Sequence, residues 1–248
     1  MLEQFSRSAL LLGEDAMDKL LRAKIAVFGV GGVGGYCVEA LARSGLSTLH
    51  IYDDDTVSVS NLNRQIVALH STIGMPKAQA MANRVKDINP NCDVQAIRMF
   101  YLPQNADEVD LSLYDYVVDC IDTVSAKLEL IVRCTALGIP IISAMGTGNK
   151  LDPSALYVTD ISKTQGCPLA RVMRKELRKR GIEHLKVVCS SEKPRTPLKR
   201  PQAEAPAQSD TRPGSTARRD TPGSLPFVPA AAGLLLASTV VLDLIETT

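Results

Sequence analysis

A glycine-rich turn near the start of the chain constrains the fold more than any other feature of the sequence. The letters GVGGVG at positions 29–34 have the spacing G-x-G-x-x-G. They follow a strand-like segment, Lys24 to Gly29, and open a helical pattern that runs from Val33 to Arg43. Glycine allows a tight turn and lets phosphate oxygens approach backbone N–H groups at the positive end of a helix. The segment therefore predicts a nucleotide-binding strand–turn–helix unit.

Strands and helices alternate along most of the chain after this turn. We predict further strands at residues 48–53, 93–99, 116–121, 140–144, 155–161 and 184–189. Helical patterns cover residues 8–22, 76–88, 126–137 and 169–180, with Pro76 expected in a first turn. Such alternation is typical of an α/β fold with a Rossmann-like, doubly wound, mainly parallel sheet and helices on both faces. The 248 residues, 45% of them hydrophobic, suit one domain spanning 1–248.

Two segments near the carboxyl end depart from this alternation. Residues 193–224 are rich in Pro, Ser, Thr and Arg, which predicts a flexible crossover loop within the domain. Residues 225–245 are apolar and about long enough to span a bilayer, but Pro226, Pro229 and Asp243 interrupt them. A helix buried in a soluble core has the same composition. We expect that buried helix and no stable membrane insertion.

Charge and cysteine content exclude several classes of protein. Lys and Arg number 28 against 27 Asp and Glu, so the net charge of +1 does not indicate nucleic-acid or membrane binding. The cysteines form no C-x-x-C pair, so we expect no zinc site and reduced thiols in a cytoplasmic protein. They are Cys37, Cys92, Cys120, Cys134, Cys167 and Cys189. The first residues also lack the pattern of a secretory signal.

Charged side chains follow the glycine-rich turn at positions that suit a nucleoside triphosphate. Asp53 ends the next predicted strand, where a carboxylate can accept hydrogen bonds from ribose hydroxyls. Arg64 and Lys77 supply a planar and a compact positive charge for phosphates. Asp122 follows the strand at 116–121 and offers the oxygen ligand that Mg²⁺ prefers. Each residue alone could be a surface ion-pair partner, but together they favour ATP over a nicotinamide dinucleotide.

The order of these motifs resembles the E1-like superfamily, which includes ThiF, MoeB and the ubiquitin-activating enzymes. The resemblance rests on G-x-G-G-V-G, on D-T-V-x-x-S-N-x-x-R-Q at 55–65, on G-x-x-K at 74–77 and on D-C-x-D at 119–122. It implies a Rossmann-like domain that binds ATP and Mg²⁺ and activates a carboxylate as an acyl adenylate. Because this reaction brings two anions together, positive groups are needed at the entering and departing oxygens.

The resemblance also implies roles for individual residues. The implied nucleotide contacts are Gly29, Gly31, Gly32, Gly34, Asp53, Asp55, Asn61, Arg64, Gln65 and Lys77. The implied catalytic residues are Arg7, Arg64, Lys77 and Asp122, and Asp122 would also organise Mg²⁺. Arg7 matches a family arginine that reaches the ATP site of the partner subunit, which implies a homodimer.

The region after residue 144 is similar to the tRNA threonylcarbamoyladenosine dehydratase group of this superfamily. The similarity rests on segments such as VTDISKT at 158–164 and VVCSSEKP at 187–194. It implies ATP-dependent dehydration of N6-threonylcarbamoyladenosine beside the tRNA anticodon, in which the activated threonyl carboxylate closes into a ring. Basic residues would contact the tRNA backbone, namely Arg171, Arg174, Lys175, Arg178, Lys179, Arg180, Lys199, Arg200, Arg218 and Arg219.

Other functions remain open on the sequence alone. An E1-like adenylyltransferase would activate the C-terminal Gly-Gly of a ubiquitin-like sulfur carrier, but the zinc-binding cysteine pairs usual in that branch are missing. An ATP-binding regulatory module would explain the turn without the full set of charged residues. Some members of the dehydratase group work beside a cysteine desulfurase, which makes such a system a candidate partner. We interpret Cys167 and Cys189 as ordinary thiols and Cys120 as part of the core.

Overall fold

The computed structural model describes residues 3–198 and 222–246, and its centre is one seven-stranded sheet. The strands are β1 (Lys24–Phe28), β2 (Thr48–Tyr52), β3 (Asp93–Ile97), β4 (Tyr116–Asp119), β5 (Ile141–Ala144), β6 (Leu156–Asp160) and β7 (Lys186–Ser190). The α-helices are α1 (Ser6–Leu12), α2 (Glu14–Arg22), α3 (Gly34–Arg43), α4 (Lys77–Ile88), α5 (Val124–Leu137), α6 (Pro168–Arg178) and α7 (Phe227–Glu246). These elements confirm the α/β class and the predicted strands, with boundaries that differ by a few residues.

The sheet has the strand order β3-β2-β1-β4-β5-β7-β6. Neighbouring strands are parallel except β6 and β7, which are antiparallel. From β1 the chain moves outward to one side through β2 and β3, and later to the other side through β4 and β5. Ligands of doubly wound sheets bind where the strand order reverses, at the carboxyl ends of the strands. That point lies between β1 and β4, next to the glycine-rich turn.

Helices cover both faces of the sheet, as predicted. Side chains alternate along β1, so Ile25 and Val27 join a core cluster with α3, α4 and α7 on one face. Ala26 and Phe28 join a second cluster, with α5, on the opposite face. A third cluster packs α5 and α6 against β7. The sheet is therefore buried on both sides, as the apolar composition of its strands requires.

The amino-terminal helix differs from the sequence-based expectation. The apolar pattern predicts one helix over 8–22, but the structure has α1 and α2 separated by Gly13. Gly13 has a φ of +85°, which glycine adopts at little cost and which ends α1. Glu14 and Asp15 then favour a new helix start, because negative charge is stabilised there. A second difference concerns Pro76, which the sequence predicts in the first turn of a helix. It lies immediately before α4, which begins at Lys77.

Helix α7 confirms the expectation of a carboxyl-terminal helix packed on the domain. Its buried face includes Gly233, which lies against the start of α3. A Cβ at Gly233 would lie 2.8 Å from the Cβ of Tyr36, so the close approach depends on glycine. Within the described chain, α7 alone is long and apolar enough to cross a membrane, and 44% of its most apolar window is buried inside the protein. The opposite face of α7 exposes Phe227, Leu234 and Leu242.

The predicted crossover loop, 193–224, is described only at its two ends, and the rest of it lies outside the described residues. Both ends are held by Asn149, which follows β5 and has a left-handed backbone with φ of 59°. The N–H of Arg195 donates to the Asn149 carbonyl at 2.8 Å. The N–H of Gly223 donates to Asn149 Oδ1 at 2.7 Å, and the N–H of Asn149 donates to the Gly223 carbonyl at 2.7 Å. Asn149 therefore joins the points where the chain leaves and rejoins the domain.

Candidate nucleotide-binding and active site

The glycine-rich turn lies at the carboxyl end of β1 and touches the segment that follows β4. Gly29 has a φ of +86°, and a Cβ there would lie 2.8 Å from the carbonyl oxygen of Cys120. A Cβ at Gly34 would collide with the Gly29 carbonyl. Helix α3 begins at Gly34, and the first N–H groups of a helix have no partner inside it. The turn is thus a tight backbone cradle with N–H groups and a positive helix end, which suits an anion.

Asp53 follows β2 and supports the turn. Its Oδ2 accepts the N–H of Val30 at 2.7 Å, and its Oδ1 accepts the N–H of Asp55 at 2.9 Å. Burial raises the pKa of Asp53, and the charge of Lys77 and the two N–H donors oppose that shift. Each carboxylate oxygen can accept a second hydrogen bond. The position therefore suits both holding the turn and accepting a ribose hydroxyl, the role predicted for it.

Lys77 is the first residue of α4, and its side chain is only 7% exposed. Its Nζ lies 2.9 Å from Oδ2 of Asp55, whose side chain is 39% exposed. The N–H of Lys77 also donates to the Asp55 carbonyl at 2.9 Å. The ammonium group is therefore fixed in a largely dry environment beside a more exposed carboxylate. A phosphate arriving at this place meets a positive charge that is already in position.

Three more predicted residues lie in the segment between β2 and α4. Gln65 Nε2 lies 3.8 Å from the position that a Cβ of Gly31 would occupy, and Arg64 Cγ lies 3.7 Å from that of Gly32. Asn61 is buried, and its Oδ1 accepts a backbone N–H from three residues earlier at 3.1 Å. The structure thus brings this segment against the glycines, as the motif order predicts.

Asp122 lies at the same edge of the sheet, after β4. Its carboxylate is exposed, and the hydroxyl of Thr123 donates to it at 3.5 Å. Its position relative to the cradle is set by Cys120, whose carbonyl contacts Gly29. Asp122 and the glycine-rich turn therefore lie on adjoining segments, one at the end of β1 and one at the end of β4.

A buried ion pair between Asp119 and Lys127, on either side of Asp122 in the sequence, is a feature that the sequence analysis missed. Lys127 Nζ lies 2.8 Å from Asp119 Oδ2, and both side chains are 0% exposed. The same Nζ donates to the carbonyls of Ile121 at 3.1 Å and Ala144 at 2.9 Å. Ser143 Oγ donates to Asp119 Oδ2 at 2.6 Å. This network ties the ends of β4 and β5 to α5. The first Asp of the D-C-x-D motif could have indicated a buried carboxylate. A lysine in a predicted helix gave no indication that it would be buried beside that carboxylate.

Arg7 belongs to a segment that the structure anchors away from the other predicted catalytic residues. Phe5, two residues before it, packs 3.8 Å from the Cβ position of Gly45, which lies just beyond the end of α3. The ten residues of α3 span about 15 Å between that point and the glycine-rich turn. The segment that carries the exposed Arg7 is therefore anchored, through Phe5, at the opposite edge of the sheet from the cradle of its own chain.

The residues present fit a nucleoside triphosphate. The close contacts at Gly29 and Gly34 leave no room for a side chain in the cradle, and Lys77 and Arg64 add positive charge. Gln65 Oε1 is buried with no partner among residues 3–198 and 222–246. A buried acceptor without a partner is costly, so a ligand donor there would be stabilising. No group of three or more His, Cys, Asp or Glu in the described chain could hold a metal. Mg²⁺ is often held by one or two carboxylates together with substrate phosphates, and Asp122 could supply such a carboxylate.

Comparison with known proteins supports this assignment. The chain is 41% identical over 247 residues to the tRNA threonylcarbamoyladenosine dehydratase of Bacillus subtilis, covering 99% of this chain and 96% of the relative. Crystal structures of the Escherichia coli dehydratase TcdA with AMP and with ATP superpose with TM-scores of 0.83 and 0.82, at 34% and 33% identity. Each alignment covers 98% of this chain and 94% of TcdA.

A relative from another branch matches a smaller part of the chain. The Escherichia coli sulfur carrier protein ThiS adenylyltransferase is 35% identical over 152 residues, which is 60% of this chain and 60% of that protein. The family model that matches this sequence covers residues 5–245, from the segment before α1 to the end of α7. The strand order, the cradle and its charged neighbours agree with that match. The chain therefore belongs to the ThiF family.

Proposed function

We propose that this chain is an ATP-dependent tRNA threonylcarbamoyladenosine dehydratase that acts in the cytoplasm. The observation that supports it most strongly is the identity to the Bacillus subtilis dehydratase over nearly the full length of both chains. The proposed substrate is tRNA carrying N6-threonylcarbamoyladenosine, and the proposed cofactors are ATP and Mg²⁺. A second copy of the chain and a cysteine desulfurase system are the proposed protein partners.

In the proposed reaction the threonyl carboxylate would attack the α-phosphate of ATP and displace pyrophosphate. Ring closure would then release AMP, so that the nucleoside loses the elements of one water. The glycine-rich cradle would bind phosphates, and Asp53 would hold the ribose. Arg64 and Lys77 would neutralise phosphate charge as the carboxylate approaches. Fixed charges of this kind contribute most where water is excluded, which suits the buried Lys77. Bound Mg²⁺ would supply further charge stabilisation, held by Asp122 and the phosphates.

The proposed homodimer draws support from the placement of Arg7 and from exposed apolar surface. Because the segment that carries Arg7 is anchored at the opposite edge of its own sheet from the cradle, this arginine suits the site of another copy. Leu10 and Leu11, on the same helix as Arg7, are 89% and 85% exposed. Together with the exposed face of α7 they leave apolar area that a second copy could cover. The proposed dimer would therefore bury these leucines and complete each site with an arginine in trans.

The proposed contact with tRNA uses the basic helix α6. The cations of α6 and of the two residues that follow it fall into two groups. Arg174 donates to the Thr164 carbonyl at 2.9 Å, and Lys179 and Arg180 pair with Glu176. The exposed cations of α6 outside these pairs, as far as the chain is described, are Arg171, Lys175 and Arg178. Those three would contact phosphates, whereas the predicted contacts Lys199, Arg200, Arg218 and Arg219 lie outside the described residues.

Mixing two inactive variants tests the role of Arg7. Arg7→Ala and Asp122→Ala are each expected to be inactive, but dimers formed from one chain of each type contain one intact site. Random assortment is then expected to restore about a quarter of the wild-type rate. The measurement is turnover after co-expression of the two variants. Activity no greater than that of the separately prepared variants would contradict a role in trans.

Nucleoside mass spectrometry tests the proposed reaction directly. The protein is incubated with tRNA carrying threonylcarbamoyladenosine, ATP and Mg²⁺, and the digest is kept mild because the ring reopens in water. Loss of one water from the modified nucleoside is expected only when ATP is present. If ATP binds but the nucleoside mass does not change, ATP–pyrophosphate exchange with a Gly-Gly-tailed carrier protein becomes the next assay.

A further inference from the structure

The backbone on both sides of Asp122 is held by a single residue, Lys127 of α5. The Nζ of Lys127 donates to the carbonyl of Ile121, the residue before Asp122, at 3.1 Å. The backbone N–H of Lys127 donates to the carbonyl of Thr123, the residue after Asp122, at 3.0 Å. The Asp122 carboxylate is exposed, but the backbone that carries it is therefore fixed from α5.

The peptide before Asp122 is also held from a second direction. Asp119 Oδ1 accepts the N–H of Ile121 at 3.1 Å. The same peptide lies against the nucleotide cradle, since a Cβ at Gly29 would be 2.8 Å from the Cys120 carbonyl oxygen and 3.3 Å from the Ile121 nitrogen. Because both ends of this peptide unit are fixed, it sets how the segment that carries Asp122 meets the glycine-rich turn.

All three donors of the Lys127 ammonium group are used inside the protein. Besides the Ile121 carbonyl, they reach the Ala144 carbonyl at 2.9 Å and Asp119 Oδ2 at 2.8 Å. Ala144 is the last residue of β5, so one group joins the ends of β4 and β5 to α5. Replacing a buried ion pair by well-packed apolar residues often leaves stability unchanged or raises it. Stability alone therefore does not account for a fully buried ammonium group at this place.

We propose that Lys127 is a positioning residue, which holds the Asp122 carboxylate in place for Mg²⁺ bound with the phosphates of ATP. The inference rests on the proposed function only through the assignment of Mg²⁺ to Asp122. Mg²⁺ requires a strict arrangement of its oxygen ligands, so a small displacement of Asp122 weakens the site. Replacing a residue that orients a metal ligand commonly costs about 10–100-fold in metal affinity or activity. Lys127 acts through the backbone of Ile121 and contacts neither ATP nor the metal.

A double variant in which the buried charges stay balanced tests the proposal. Lys127→Met with Asp119→Asn removes the ammonium donor without leaving an unpaired carboxylate. The asparagine oxygen can still accept the N–H of Ile121. Leu130→Ala, also in α5 and 0% exposed, is the matched control, because it opens a cavity in the core but removes none of these hydrogen bonds. Thermal unfolding establishes that each variant is folded before binding is measured.

Calorimetric titration with ATP, in Mg²⁺ and in EDTA, gives a readout that needs neither tRNA nor turnover. The wild-type chain is expected to bind ATP more tightly in Mg²⁺ than in EDTA. In the double variant that gain is expected to be about tenfold smaller, because Asp122 is no longer held in place. Its affinity in EDTA is expected to stay close to that of the wild type, since the cradle and Lys77 are unchanged. Leu130→Ala is expected to keep both affinities.

Adding Asp122→Ala shows whether Lys127 acts through that carboxylate. In this background the double variant is expected to cause no further loss of Mg²⁺-dependent affinity, because the ligand that Lys127 positions is already gone. An equal further loss would assign Lys127 a merely structural role and overturn the proposal. So would a full Mg²⁺ effect in the double variant, an equal loss in Leu130→Ala, or a wild-type affinity that does not depend on Mg²⁺.

The failure of this inference and that of the proposed function are distinguishable. If the titrations give the expected pattern but the nucleoside is not dehydrated, the positioning role of Lys127 is supported and the proposed reaction is refuted. If the nucleoside is dehydrated but the double variant keeps its full Mg²⁺ effect, the proposed reaction stands and the positioning role is refuted.

Discussion

Turnover is expected to fall by about a hundredfold or more when Asp122 is replaced by alanine, while the protein stays folded. Asp122 is exposed, and the hydrogen bond that it accepts from the Thr123 hydroxyl is long, at 3.5 Å. The fold therefore depends little on this carboxylate. Its proposed work is to organise charge around the phosphates during adenylate formation, an interaction that removal of one group can weaken by two or three orders of magnitude in rate.

Two measurements separate this effect from a loss of structure. Cyclisation of the modified nucleoside gives the rate, and the midpoint of thermal unfolding reports the fold. Ser125→Ala, three residues further on and also exposed, is the control that is expected to keep both values. A wild-type rate in Asp122→Ala would remove this residue from the proposed mechanism. A lowered unfolding midpoint would assign it a structural role.

Replacing Lys127 by methionine is expected to lower the free energy of unfolding by about 3–5 kcal/mol. Methionine has a similar length, so the volume of the site is kept. The change leaves the Asp119 carboxylate without its cation at a position that is 0% exposed. It also removes the donor to the carbonyls of Ile121 and Ala144. An uncompensated buried charge is among the few single changes that destabilise a domain this strongly.

Denaturant titration measures the effect, and a second substitution shows its cause. Adding Asp119→Asn to Lys127→Met removes the uncompensated charge, so the double variant is expected to recover part of the lost stability. Lys179→Met, at the exposed end of α6, is the control and is expected to change stability little. A loss below about 1 kcal/mol in Lys127→Met would mean that water or structural relaxation compensates Asp119.

The sequence could predict those parts of the site in which the local residue pattern has a direct structural cause. Because one strand ends at Gly29 and a helix starts a few residues later, the glycines between them must form a tight turn. Asp53 and Asp122 lie at the ends of predicted strands and Lys77 lies at the start of a predicted helix, and these ends meet at one edge of a parallel sheet. Motif order then distinguishes the cradle from that of a dehydrogenase. For these residues, placement on the fold followed from secondary structure alone.

The features that sequence could not predict depend on tertiary contacts. A lysine in an apolar helix usually keeps its charge in water, and only the packing of α5 reveals that Lys127 is fully buried. Asn149 and its left-handed backbone bear no local signature. The break at Gly13 did have a signal, since two acidic residues follow the glycine.

The contacts of Asn149 also affect how the fold accommodates insertions and deletions. Because one residue ties Arg195 to Gly223, the number of residues between them is uncoupled from the geometry of the sheet. Each doubling of a closed loop adds only about 0.6 kcal/mol of closure entropy. A change in the number of residues between Arg195 and Gly223 is therefore expected to leave the nucleotide-binding cradle intact.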